Sequence, residues 1–134
     1  MSSQSAVSQK FLAWEKENKV EWLASELQCG SLMFRYCGIA DYIARIDGKI
    51  VLGDFKTSAK FKTTYVPQLV GLKQCFEEMG QKIDDIAVTR LGREGDFEHR
   101  VIECDFETEL MAFLKAKDFL SQRNLFKARW EAWD

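Results

Sequence analysis

Hydrophobic positions along this chain switch repeatedly between helical spacing and strand alternation, and the switches predict the order of elements. From about Ser5 to Asn18, Val7, Phe11, Leu12 and Trp14 recur at helical spacing, with Ser5 or Ser8 placed to cap a surface-packed helix. Residues 1–4 read as a frayed end. A weaker alternation through Val20, Trp22, Ala24, Glu26 and Gln28 predicts a first strand over Lys19 to Leu27. Cys29-Gly30-Ser31 then reads as a turn, and Leu32 to Tyr36 as a second strand leading into Gly38.

The clearest local signal follows. Tyr42-Ile43-Ala44-Arg45-Ile46 and Lys49-Ile50-Val51-Leu52 are β-rich runs joined by Asp47-Gly48. That dipeptide suits a two-residue hairpin turn, because a type I′ turn needs positive φ at both central residues. If Ile46 faces Lys49, every facing pair has numbers summing to 95, and Asp41 lies opposite Asp54. Directly opposed residues have Cβ atoms about 4.5–5.5 Å apart, where like charges weaken the sheet. A hard divalent cation between the two carboxylates would remove that penalty. Side chains alternate along a strand, so Lys56 shares the face of Asp54 and Phe55 points the other way. An isolated Asp-x-Lys is most often a solvated strand end. Here the acid closes the apolar run Ile50-Val51-Leu52, where it is costly unless paired or metal-bound.

Beyond the hairpin, Thr57 to Thr64 is a short-sided, basic loop. Thr63 or Thr64 is placed to cap a helix with Pro67 in its first turn, an apolar stripe of Leu69, Leu72, Cys75, Phe76 and Met79, and an end at Gly80. Ile83–Leu91 and Asp96–Cys104 form a second hairpin around Gly92-Arg93-Glu94-Gly95. Asp105 caps a long final helix with Leu110, Phe113, Leu114, Ala116, Phe119 and Leu120 on its apolar face. The tail from Arg123, with Trp130 and Trp133, continues as helix, its aromatics either covering the core edge or making a subunit contact. The order αβββαββα, as a mixed sheet flanked by helices, is an α/β fold, and 134 residues make one domain.

Charge and composition narrow the chemistry. A net charge of −2 and a pI near 5.5 do not suit a protein that coats nucleic acid, so any such contact needs a local patch. Lys56, Lys60, Lys62 and Lys73 supply one near the hairpin, and Tyr65 reads either as a ring that stacks on a base or as a packing residue. His99, the one histidine, sits in a polar strand and reads as a surface residue rather than a base, which disfavours Ser-His or Cys-His catalysis. Cys29, Cys37, Cys75 and Cys104 have no zinc-ligand spacing and read as buried thiols of a reducing compartment. No apolar run approaches the roughly 18 residues of a membrane span and no signal peptide is evident, so a cytoplasmic protein is expected.

Gly38-Ile39-Ala40-Asp41, followed after a hairpin by Asp54-Phe55-Lys56, resembles the core motif of the PD-(D/E)XK nuclease superfamily, particularly its RecB-like and lambda-exonuclease-like branches. Ser25-Glu26 upstream and Gln68 downstream extend the likeness over roughly residues 20 to 75. Ala40 stands where many members have Pro, and Leu72 where a Tyr often follows the Gln. The resemblance implies a restriction-endonuclease-like core and Mg²⁺- or Mn²⁺-dependent hydrolysis of DNA, with Asp41, Asp54, the Phe55 carbonyl and Glu26 as metal ligands. It implies Lys56 and Gln68 beside them, and Lys60, Lys62, Lys73 and Tyr65 against the nucleic acid. The cysteines are not clustered as an iron–sulfur centre would need. An exonuclease of recombination, repair or phage DNA processing is the leading expectation. A junction-resolvase-like endonuclease and a non-catalytic binding module of the same fold are the alternatives, and a homo-oligomer or a partner protein fits each of them.

Overall fold

The Asp47-Gly48 turn forms as the sequence requires, with φ of 50° and 83°. The strands it joins pair from Ile46–Lys49 to Tyr42–Gly53 in the expected register. The computed structural model describes residues 3–132, with side chains described for residues 5–120 and 122. In chain order the elements are α1 (Ser3–Glu17), β1 (Glu21–Ser31), β2 (Tyr36–Ile46), β3 (Lys49–Lys56), α2 (Tyr65–Glu78), β4 (Asp85–Leu91), β5 (Phe97–Ile102) and α3 (Phe106–Ala132). The strands form one sheet in the order β1-β2-β3-β4-β5. Only β3 and β4 run parallel, because α2 carries the chain back between them; the other neighbours are antiparallel. The fold is thus α/β, a five-stranded mixed sheet flanked by helices.

Both faces are covered. On one, Leu69, Val70 and Phe76 of α2 and Leu110 of α3 pack with Ile43, Leu52, Ile86 and Val88. On the other, Trp14 of α1 and Val20 pack with Tyr42, Ala44, Ile46, Val51, Ala87 and Phe55. This second face holds a buried polar line: the Tyr42 hydroxyl lies 2.7 Å from Thr89 Oγ1, which lies 3.0 Å from His99 Nδ1. His99 also stacks against Trp14 at 4.5 Å, and burial lowers its pKa. It is a packed residue rather than the surface residue that its polar neighbours suggest. Thr89→Val would leave the Tyr42 hydroxyl without its partner in the core, and a loss of about 1–3 kcal/mol is expected in urea denaturation.

Several local expectations change. β1 runs through Cys29-Gly30-Ser31 to pair with Tyr36–Gly38, and the turn lies at Leu32–Arg35. Ser31 makes that turn: its carbonyl accepts from Arg35 N, and its buried Oγ accepts from Phe34 N and donates to Glu78 of α2. Leu32, 93% exposed, is a turn tip and not a strand residue. Strand β1 begins at Glu21 because Lys19 is left-handed, φ 50°. Ser5 and Ser8 lie inside α1, which already includes residues 3 and 4, so neither serine is its cap. Thr64 occupies the N-cap of α2 without a side-chain bond, whereas Asp105 does cap α3, its carboxylate accepting from Thr108 N at 3.1 Å.

Met79 is exposed, since α2 ends there and Gly80, φ 91°, turns the chain away. Along α3 the buried face stops early: Leu110, Phe113 and Leu114 pack, while Ala116, Phe119 and Leu120 are exposed. The helix packs mainly against α2. The side chain of Trp130, and all of Trp133, lie outside the described residues. Among the cysteines, Cys29 and Cys75 are buried thiols, but Cys37 and Cys104 are exposed. No described helix is long and apolar enough to cross a membrane.

Candidate active site

The β2–β3 ladder ends where the acids begin. Beyond the Tyr42–Gly53 pair, the Asp41 carboxylate takes the place of a ladder carbonyl and accepts the Phe55 N–H at 2.8 Å. This anchors Asp41 to the last turn of the pleat and brings its carboxyl within hydrogen-bonding reach of Asp54. Burial, then Asp41, push the Asp54 pKa up to about 6, against the opposing pull of Lys56. Lys56, two residues on and so on the same face, places Nζ 2.7 Å from Asp54 Oδ2. Its ammonium also lies 4.9 Å from the centre of the Tyr65 ring, at the first residue of α2. The bond to Asp54 holds the Lys56 pKa above its ordinary value. Asp41, Asp54 and Lys56 therefore converge as the hairpin register requires.

Tyr65 gives its ring face to Lys56, its hydroxyl to Ser58 Oγ at 3.0 Å and its edge to Phe61. These contacts make it part of the packing around Lys56. Lys56, Lys60, Lys62 and Tyr65 line an open cleft of about 970 Å³, which the β4–β5 turn also lines with Arg93, Glu94 and Asp96.

Three other expected site residues do not join. Glu26 falls opposite Asp41 by register, between the pairs Ser25–Tyr42 and Leu27–Ala40, but its backbone is left-handed, φ 49°. The ladder skips it, and its side chain is exposed, with no hydrogen bond or ion pair among the described residues. Gln68 is exposed on the first turn of α2 and makes no hydrogen bond to Lys56. Lys73 is two turns further along α2, pairs with Glu77 at 3.7 Å, lies over Phe106, and lines a separate cleft with Asp84 and Asp85. A helix that leaves the site at Tyr65 carries residue 73 away from it.

Among the described residues no three His, Cys, Asp or Glu side chains converge as a ready metal cage. The donors that do meet, two carboxylates beside a backbone strand end, are hard oxygens. Mg²⁺ is commonly held by one or two carboxylates, with water and substrate phosphate completing its octahedron. Burial and then Asp41 make the ionised form of Asp54 costly, and a cation bound there would offset that cost. The residues fit the ion.

Sequence reasoning passed over Arg90 and Arg93. Arg93 reads only as a turn residue between Gly92 and Gly95, and Arg90 as one more polar position in a strand. Neither carries a signal in a single sequence.

No family model matches the chain, and no curated protein matches it. Among solved structures it is similar to one described as "Crystal structure of SSO0001", with 17% identity and a TM-score of 0.49. The match covers 85% of this chain and 56% of that one, so this chain spans little more than half the length of the other.

Proposed function

We propose that the protein is a metal-dependent nuclease that hydrolyses DNA phosphodiester bonds, acting as an exonuclease in recombination, repair or phage DNA processing. The observation that carries this reading is the meeting of Asp41, Asp54 and Lys56 at the end of β3, beside a cleft lined by Lys60 and Lys62. Asp41 and Asp54, with the Phe55 carbonyl, would hold Mg²⁺ or Mn²⁺. Bound there, the ion supplies a lowered pKa for attacking water and charge stabilisation for the transferring phosphoryl group.

The chain's own groups divide the remaining work. Asp41, fixed by the Phe55 amide, and Asp54 present preoriented oxygens. Lys56, held by Asp54 and the Tyr65 ring, places a positive charge where phosphate charge develops, or favours hydroxide over water. Lys60 and Lys62 contact phosphates and set register without reading sequence.

A 5′-labelled oligonucleotide, single-stranded or duplex, is expected to be cut in Mg²⁺ or Mn²⁺ and left intact in EDTA. Lys56→Ala is expected to lower the rate at least about a hundredfold, with an unchanged circular dichroism spectrum. Equal cutting by Lys56→Ala and the wild type would refute the assignment.

A further inference from the structure

Arg90 is a buried cation that the chemistry above does not use. Its side chain is 10% exposed, and Nη1 donates to two backbone carbonyls, Ser58 O and Ala59 O, both at 3.1 Å. Nη2 meets Asp96 at 2.5 Å, and Nε meets Glu98 at 3.4 Å. Ser58 and Ala59 belong to the loop that follows Lys56 and leads to Lys60 and Lys62, whereas Asp96 belongs to the β4–β5 turn. One guanidinium thus ties together two segments that line the cleft, through a planar fork of donors that a lysine could not reproduce.

The charges left over point into the same space. Arg90 and Arg100 are paired with Asp96 and Glu98, but Lys60, Lys62 and Arg93, all lining the cleft, have no ion-pair partner among the described residues. Asp96 is occupied by Arg90, which leaves Glu94 as the free acid of the lining. Unpaired cations on two segments that line one cleft, beside an acid pair, suit a polyanionic strand lying in it.

We propose that the cleft is a clamp for one nucleic-acid strand, in which Arg93 supplies a phosphate contact from the β4–β5 turn in addition to those of Lys60 and Lys62 on the 57–62 loop, and Arg90 is the positioning residue that holds the two segments at their spacing. This rests on the nuclease reading and extends it to a binding residue and a positioning residue outside the acid–lysine cluster.

The test uses full-length protein and a fluorescein-labelled single-stranded oligonucleotide. Binding is measured by anisotropy in EDTA across a salt series, and cleavage in Mn²⁺. Arg93→Ala is expected to raise KM about fivefold to tenfold with kcat within about twofold, and to reduce the slope of log K against log salt by about 0.7, the loss of one single-strand phosphate contact. Arg90→Lys keeps the charge and loses the fork. It is expected to raise KM similarly and to expose the 57–62 loop to limited proteolysis, with its melting temperature serving as the folding control. Wild-type KM and salt slope in Arg93→Ala, with cleavage intact in the wild type, would overturn the clamp and leave the nuclease standing. A wild type that neither binds nor cuts the oligonucleotide would overturn both.

Discussion

Asp54→Asn is expected to stabilise the metal-free protein near neutral pH and to abolish the proposed metal-dependent cleavage of DNA. The two effects share one cause. In the folded protein the Asp54 carboxyl titrates near 6 instead of its ordinary 3.8, because it is part-buried and touches Asp41. Below pH 4 it is protonated whether the chain is folded or not, so its environment costs nothing. Between about 4 and 6 the folded state keeps a proton that the unfolded state has released, and stability falls as pH rises through that window. Above pH 6 the full cost is present. A two-unit shift is worth at most about 2.7 kcal/mol. With the side chain 19% exposed, solvent screening reduces this to the order of 1–2 kcal/mol. An Asn at position 54 carries no charge and can donate to Asp41, so the variant gains most of that amount at pH 7.5 and little at pH 4.5. Loss of the Lys56 ion pair offsets part of the gain.

Urea denaturation of both proteins at the two pH values isolates the contribution, since other titrating groups cancel in the difference. The same substitution removes a carboxylate of the proposed metal site. A drop of at least about a thousandfold in Mn²⁺-dependent cleavage is expected, together with loss of any rise in melting temperature on adding Mn²⁺. A variant less stable than wild type at pH 7.5, yet equally active, would sink the idea that this acid pair is held against its own repulsion for the sake of a cation.

How far the sequence reached depends on the range of the interactions involved. The Asp47-Gly48 hairpin, its register and the meeting of Asp41, Asp54 and Lys56 were readable because a two-residue turn fixes the pairing and a strand alternates with period two. The element order was readable for the same local reasons. Glu26 was not, because a bulge between Trp22 and Ala24 and a left-handed residue at 26 interrupt the alternation, and neither leaves a Gly or Pro to mark it. Lys73 was misplaced because helical spacing says which face a residue occupies but not which end of the helix meets the candidate site. The role of Arg90 depends on partners 31 and 32 residues away, and that of His99 on Thr89 and Trp14, contacts which only the folded sheet creates.

Gly53→Ala is expected to be strongly destabilising. Gly53 faces Tyr42 across the β2–β3 ladder, and a Cβ there would lie 1.9 Å from Tyr42 Cζ and 2.1 Å from its hydroxyl oxygen. No real contact is that short, so the ring would have to move. It is 1% exposed, held at its hydroxyl by Thr89 at 2.7 Å, and packed between Trp22 at 5.2 Å and Phe55 at 4.8 Å. Moving it breaks a buried hydrogen bond and opens space elsewhere, so the loss should exceed the roughly 1–3 kcal/mol usual for an added methylene in a packed core.

Tyr42→Leu removes the obstructing atoms at its own cost, and adding Gly53→Ala to that background should cost clearly less than in the wild type. A coupling of at least about 1 kcal/mol is expected in the double-mutant cycle. Because Gly53 directly precedes Asp54, and Tyr42 directly follows Asp41, displacement of the ring also shifts both acids. Gly53→Ala protein that remains folded at low temperature should therefore bind Mn²⁺ more weakly, and Tyr42→Leu should restore part of that binding in the double variant. Additive losses in stability would mean that the ring yields without the strain inferred from its packing, and the acid pair would then owe its placement to the Asp41–Phe55 hydrogen bond alone.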